Sequence, residues 1–388
     1  MSGAKPRVLF LVTEDWYFSA HWRGLAGALT AAGCAVGVVC RVGGGGDAIT
    51  GAGLQLFPLQ MSRSSINPLH LAACVLRIAR IYRAFRPDIV HHVALKPALL
   101  GSIAAGLAGV QRIINAIAGL GYVFASTGPR ARLLRPVLRA ALRLWLDGPE
   151  TRVMVQNVED GEALTGAGIV AAERLRVVPG VGVDLERFHP TAEPPGPPRA
   201  VLVSRLIREK GIHETVEAAR LLAARGVDVR IALAGESDLE SPSAIAVETL
   251  ESWRAEGAVE ILGRVEDIPG LWEKSHIALL PSYYREGVPQ ALLEAAACGR
   301  PLIAADGPGL RDIVRDGETG ILVPPRDPAA LADAIERLAG DAALRQRMGA
   351  AGRRLAETRF GADAINDQTI AIYRELLADA WPAPAVRP

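Results

Sequence analysis

The chain has few of the residues that mark several function classes. Only 5% of its 388 residues are aromatic, and it has four cysteines. Cys34, Cys40, Cys74 and Cys298 form no C-x-x-C pair, which excludes a zinc ribbon and a disulfide framework; they read as small buried hydrophobes in a reducing cytoplasm. Long apolar runs are also missing. VLFLVT at 8–13 is too short for the core of a signal peptide. The longest tract, 97–121, is broken by Gln111, Arg112 and Asn115, so no transmembrane helix is expected. Neither strand that opens a βα series runs into G-x-G-x-x-G. EDWYFSAHW follows the first and Ser204-Arg205-Leu206 the other, which argues against a nicotinamide-dependent dehydrogenase. His91 and His92 alternate across a strand, so at most one of them faces a given site and they make a poor metal pair.

What is abundant is hydrophobic residues, at 50%, together with 40 glycines and 26 prolines. Such a chain folds into compact, loop-punctuated α/β domains, and its length suits two of them. The pattern alternates strands and helices from 8 to 179, a parallel sheet with helices on both faces. PTAEPPGPP at 190–198 cannot continue an element and marks a boundary. The βα alternation then restarts at 200. The expected fold class is α/β, two doubly wound domains at 1–190 and 191–388 with a cleft between them, and ligands at the C-terminal strand ends. Net charge is +1, but residues 1–190 hold 20 Lys+Arg against 12 Asp+Glu and the remainder 23 against 30. The basic half points to an anionic partner.

The chemistry gathers in PSYYREGVPQALLEAAACGRP at 281–301. Glu286 and Glu294 lie eight residues apart, with Gly287, Val288, Pro289 and Gln290 at the start of a small-residue helix. A helix N-terminus there is a ready phosphate site. The bland alternative is an ordinary helix with solvated carboxylates. Arg205 and Lys210 in SRLIREKG follow the restarted strand, where two cations can grip a diphosphate without a metal ion. A lone Arg/Lys pair is commonly solvated surface; its coincidence with the two-glutamate loop is what favours a site.

These residues carry a resemblance. VPGVGVDLERFHP (178–190), SRLIREKG (204–211), AGESD (234–238), LGRVEDIPGLW (262–272), EGVPQALLE (286–294) and DGPGLRDIVRDGETGILVPPRD (306–327) are similar, in order, to the second domain of family-4 retaining glycosyltransferases of the GT-B fold. The resemblance implies that Arg205 and Lys210 bind the donor diphosphate, that Glu286 contacts the donor sugar and serves catalysis, and that Glu294 holds the ribose. It places Gly287, Val288, Pro289 and Gln290 at sugar and phosphates, Arg264 and Val265 at the base, and Gly235 on the donor side. It also sends the last helix, about 364–377, back onto the first domain. No metal and no organic cofactor are implied; a nucleotide sugar is the donor substrate.

The first domain departs from the family. Glu14–Trp22 stands where many members have a glycine-rich loop, and Ala118 stands where many have a histidine, so that histidine's role does not transfer. SRSSINP (62–68), LKPALLG (95–101) and AGLGYVF (118–124) resemble the subgroup that extends lipid-diphosphate-linked oligosaccharides. The partners so implied are a nucleotide sugar, UDP-linked by that likeness, and a polyprenyl-diphosphate-linked acceptor, with no nucleic acid. His21 is a candidate acceptor-side base, and Lys96, Gly119 and Gly121 are candidates for phosphate; a lone histidine is more often structural. PRARLLRPVLRAALRLWL at 129–146 has five arginines and no acid. Arg135, Arg139 and Arg143 on one side, with Trp145 on the other, suit an anionic membrane surface, or equally a helix packed on its own domain. A second basic helix carrying Arg77, Arg80 and Arg83 reads as an ordinary outer helix. The reading is a retaining, metal-independent glycosyltransferase in the cytoplasm, peripheral on the inner membrane face. The sugar so implied is an N-acetylhexosamine or a hexose; the alternatives are a soluble or other lipid acceptor, or a non-catalytic nucleotide-sugar or lipid-diphosphate binding protein.

Overall fold

The computed structural model describes residues 5–63, 65–119 and 129–382. Contacts divide the chain into two units: 1–181 with 363–388, and 182–362.

The first unit holds seven strands: β1 (Arg7–Glu14), β2 (Ala35–Arg41), β3 (Gln55–Pro58), β4 (Ile89–Val93), β5 (Ile113–Ile117), β6 (Thr151–Val155) and β7 (Leu175–Val177). Their order is β3-β2-β1-β4-β5-β6-β7, all parallel. A parallel sheet is covered on both faces, so its strands must be apolar on both sides. In β1, Val8, Phe10 and Val12 enter one core while Leu9 and Leu11 enter the other. The helix Ala362–Leu377 belongs to this unit, inserting Ile365, Tyr373 and Leu376 beside Phe10 and Trp22.

The second unit holds β8 (Arg199–Val203), β9 (Arg230–Ala234), β10 (Glu260–Gly263), β11 (Ile277–Leu280), β12 (Leu302–Ala305) and β13 (Gly320–Val323). They form a parallel sheet in the order β10-β9-β8-β11-β12-β13. In both sheets the order reverses beside the first strand, between β1 and β4 and between β8 and β11. Helices leave toward opposite faces at such a switch point, which opens a crevice at the C-terminal strand ends.

The division falls between Val181 and Gly182, ahead of the proline-rich stretch that set the expected boundary. That stretch belongs to the second unit because polar side chains fasten it there. Arg345 makes a bidentate pair with Glu193, at 2.9 and 2.8 Å. Buried Arg300 donates to Thr191 Oγ1 and to Trp272 O. The His276 ring accepts from Arg199 N and meets Pro194 O at 3.0 Å. Proline density shows that no element continues; it does not show where contacts end.

GGGG at 43–46 leads into a short helix, Gly46–Gly51. The buried Asp15 carboxylate orders it, accepting from Gly43 N at 2.8 Å and Gly45 N at 2.7 Å. Residues 308–313 form turns.

Candidate active site

The switch point of the second unit brings the loop after β8 against the loop after β11. Glu209 O accepts from Tyr283 N at 2.9 Å and Tyr284 N at 3.2 Å, stapling the two loops. Gly211, at φ +76°, permits the approach, since a Cβ there would meet Pro281. The staple puts Lys210 Nζ 2.5 Å from Glu286 Oε1, with both side chains nearly buried. Ser282 Oγ donates to the same oxygen at 2.6 Å. From behind, Gly309 (φ +73°) packs where a Cβ would run into the carbonyls of Gly287 and Glu286.

Arg205, half-exposed on the same loop as Lys210, pairs with Asp238 at 2.5 Å. Two cations are thus each paired with a carboxylate, which fixes their positions. Gly235 N donates to Gly263 O at 2.7 Å, tying the ends of β9 and β10 together just before exposed Arg264 and partly buried Val265. Leu206, Gly235, Glu236, Leu250, Ile261 and Gly263 are among the residues that line a pocket of about 440 Å³ on this side of the sheet.

The helix after Glu286 is Gln290–Ala297, preceded by Pro289 and closed by Cys298 and Gly299. Val288 is buried, and Gln290 Nε2 donates to Gly182 O at 3.1 Å. Glu294 is partly buried. Burial pushes its carboxyl up to about 7, against the opposing pull of Arg187 and its neighbours Gln290 and Trp272. Desolvation therefore outweighs those interactions.

In the first unit the expected residues meet different fates. Lys96 donates to the carbonyls of Ser62 at 2.7 Å and Ser65 at 2.6 Å, clamping that loop. His21 lies 4.4 Å, centroid to centroid, from the Tyr17 ring, and burial pushes it down to about 4; such an imidazole is neutral at pH 7 but a weak base. His91 and His92 are both buried. Nδ1 of His91 meets Tyr373 Oη at 2.6 Å, and His92 sits between Asn115 Oδ1 and Tyr82 Oη at 2.8 and 2.9 Å. Gly119 is buried at φ +81°, whereas Gly121 lies outside the described residues. At the switch point beside β4, Ala94 adopts φ 75°, ψ 161° as the residue before the helix Leu95–Ala108. That region is close to glycine-only and strained for alanine.

The basic helix Pro129–Leu146 forms as expected, but Trp145 does not face outward. It packs against Gly106 and joins the cluster of Leu142, Leu146 and Val153, because an amphipathic stripe is satisfied as well by the protein core as by lipid. Arg139 and Arg143 are exposed; the Arg135 side chain is outside the described residues. The helix read as ordinary, Pro68–Phe85, also exposes apolar side chains, as the basic helix does at Leu144. Ile66 is 81% and Leu69 82% exposed, followed by Leu76 and then by exposed Arg77, Arg80 and Arg83, with no acid in the helix.

Sequence reasoning missed Ser282, Asp238, Gly211 and Gly309. Ser282 stood in view four residues before Glu286, but only the fold shows its hydroxyl turned onto that carboxylate. Among the described residues, no group of three or more His, Cys, Asp and Glu could hold a metal ion. No helix there is long and apolar enough to cross a membrane.

Comparison with known proteins bears on what this geometry serves. Residues 197–341 match the glycosyl transferases group 1 family, and residues 7–156 match the glycosyl transferase 4-like family. The chain belongs to the family-4 glycosyltransferases. This glycosyltransferase is 27% identical over 306 residues to the N,N'-diacetylbacillosaminyl-diphospho-undecaprenol alpha-1,3-N-acetylgalactosaminyltransferase of Campylobacter jejuni, covering 76% of this chain and 78% of that one. Among solved structures, sucrose-phosphate synthase from Thermosynechococcus elongatus superimposes with TM-score 0.79 at 24% identity, over 97% of this chain and all of that one. Anabaena HepE in complex with UDP and glucose gives TM-score 0.77 at 19% identity, over 94% and 98% of the two chains. The fold is GT-B.

Proposed function

We propose that this glycosyltransferase moves a sugar, with retention and without a metal ion, from a UDP-linked donor to a polyprenyl-diphosphate-linked saccharide. The observation that carries the reading is the cluster at the β8/β11 switch point, where Lys210, Ser282 and Glu286 converge and Glu294 follows within the next helix. In this reading Arg205 and Lys210 take the diphosphate, Glu286 the sugar and Glu294 the ribose. Gly235 and the Arg264-Val265 step lie on the base side, and the start of the Gln290–Ala297 helix faces phosphate. The acceptor hydroxyl attacks the anomeric carbon from the side of the leaving diphosphate. The new C–O bond forms as the old one breaks, the proton passes to a phosphate oxygen, and the two cations hold the negative charge that develops.

The UDP and lipid-linked assignments draw support from the printed ligands of HepE and the printed name of the Campylobacter relative. Action at the cytoplasmic face of the membrane accords with the basic first half of the chain. Exposed Ile66, Leu69 and Leu76 beside Arg77, Arg80 and Arg83 suit the interfacial region of an anionic bilayer better than Trp145 does. A panel of UDP-sugars with extracted polyprenyl-diphosphate saccharides tests the reaction. Transfer that needs no lipid carrier would replace this acceptor with a soluble one. No transfer or donor hydrolysis from any nucleotide sugar would leave a binding protein. Flotation with anionic liposomes tests the location: wild type should float, and Ile66→Ser with Leu69→Ser should remain at the bottom.

A further inference from the structure

Glu286 and Lys210 present a problem that the proposed function does not solve by itself. On that reading, on which this inference rests, Lys210 serves two anions: the Glu286 carboxylate that it touches in this structure and the diphosphate that arrives with the donor. An ammonium drawn toward the diphosphate loosens its hold on Glu286 at the moment the carboxylate must be in place.

Ser282 supplies the second hold. It is 2% exposed, and its hydroxyl has one proton and two geometrically possible acceptors, Glu286 Oε1 at 2.6 Å and Glu209 O at 3.1 Å. Glu209 O already receives Tyr283 N at 2.9 Å and a share of the Tyr284 N–H at 3.2 Å, which leaves little acceptor capacity on that carbonyl. The shorter contact is also the charge-assisted one, and such bonds are the stronger. The proton of Ser282 therefore points to Glu286. The hydroxyl oxygen in turn takes the other share of the Tyr284 N–H, at 3.2 Å, so the backbone of the loop orients the rotor. Serine is the smallest side chain that can do this from a position where almost no solvent reaches.

We infer that Ser282 is a positioning residue for transfer: its hydroxyl holds the Glu286 carboxylate through Oε1 while Lys210 is shared with the donor diphosphate. It touches no reacting atom. Its effect falls on the step in which Glu286 acts, and not on capture of the nucleotide, which depends on Arg205, Lys210 and Glu294.

The test compares wild type, Ser282→Ala and Ser282→Cys in release of UDP from whichever UDP-sugar the wild type turns over. UDP itself is the binding probe. Loss of a hydrogen bond to a charged group corresponds to a fall in kcat on the order of 10–100-fold in Ser282→Ala. Donor KM should move much less, and UDP should bind as to the wild type, because UDP lacks the sugar that Glu286 addresses. The thiol of Ser282→Cys is a weak donor of similar size and should restore kcat in part. A merely structural serine would instead weaken UDP binding and kcat together in step with a lower melting temperature. A kcat within twofold of wild type in Ser282→Ala overturns the inference and leaves the proposed function standing. A wild-type chain that turns over no UDP-sugar overturns both. Should Ser282→Ala fail to fold, Ser282→Cys decides, and a kcat there equal to wild type overturns the inference.

Discussion

Glu294→Gln is expected to make the protein more stable and its nucleotide site worse, with the first effect appearing only above acidic pH. The Glu294 carboxyl lies beside Trp272 and Gln290, where burial pushes it from 4.5 up to about 7. Its protonated form is the one the fold prefers, so the group contributes stability below pH 4.5 and loses it as pH rises toward 7. Above 7 the folded protein carries a partly buried charge that the unfolded chain would keep in water. At about 1.4 kcal/mol per pH unit the interval is worth at most about 3 kcal/mol. The carboxyl is not sealed from solvent, so about 2 kcal/mol is a fairer figure. Glutamine keeps the shape and removes the charge. Urea unfolding at pH 5 and pH 8 should therefore show a small difference between variant and wild type at pH 5 and a gain of about 2 kcal/mol for the variant at pH 8. UDP affinity should fall in the same variant, because an amide is a poorer partner than a carboxylate for two ribose hydroxyls. A stability gap that does not change between the two pH values would refute the argument from burial. An unchanged UDP affinity would remove Glu294 from the ribose.

Glu286→Ala should abolish transfer while circular dichroism shows the fold retained, with a lower melting temperature because Lys210 loses its carboxylate; near-normal turnover would remove Glu286 from the site. Lys210→Met leaves the nearly buried Glu286 carboxylate without its cation, so it should cost about 3 kcal/mol in unfolding and also weaken UDP binding; an unaltered UDP affinity would count against Lys210 as a diphosphate ligand. Gly309→Ala alters no functional side chain, yet its Cβ meets the backbone at Gly287. It should cost at least about 2 kcal/mol and depress transfer together with stability, checked by melting and by UDP release.

Most of the candidate site was legible in one dimension because the chain writes it in short blocks. Arg205 and Lys210 fall in the loop that follows a strand, and Glu286 and Glu294 straddle a helix start, so local pattern alone put them at strand ends. The first unit was harder. Nothing in the order of residues showed that the ammonium at position 96 meets the carbonyls of Ser62 and Ser65. Trp145 has the right periodicity for lipid and packs inward, while Leu69 and Leu76, in a helix of ordinary appearance, face out. Amphipathic spacing fixes which side of a helix is apolar and says nothing of what that side meets.

The sequence by itself determined two parallel α/β sheets and the strand ends that carry the charges, which follow from spacing along the chain, and pointed to the family through the resemblance of its short blocks. Tertiary structure alone decided how those charges are used. Glu209 O gathers the loops after β8 and β11, two elements separated by some seventy residues, and so sets Lys210 and Ser282 on one oxygen of Glu286. A hydrogen bond depends on tenths of an ångström and on which proton is left to give, and neither is written in the order of residues.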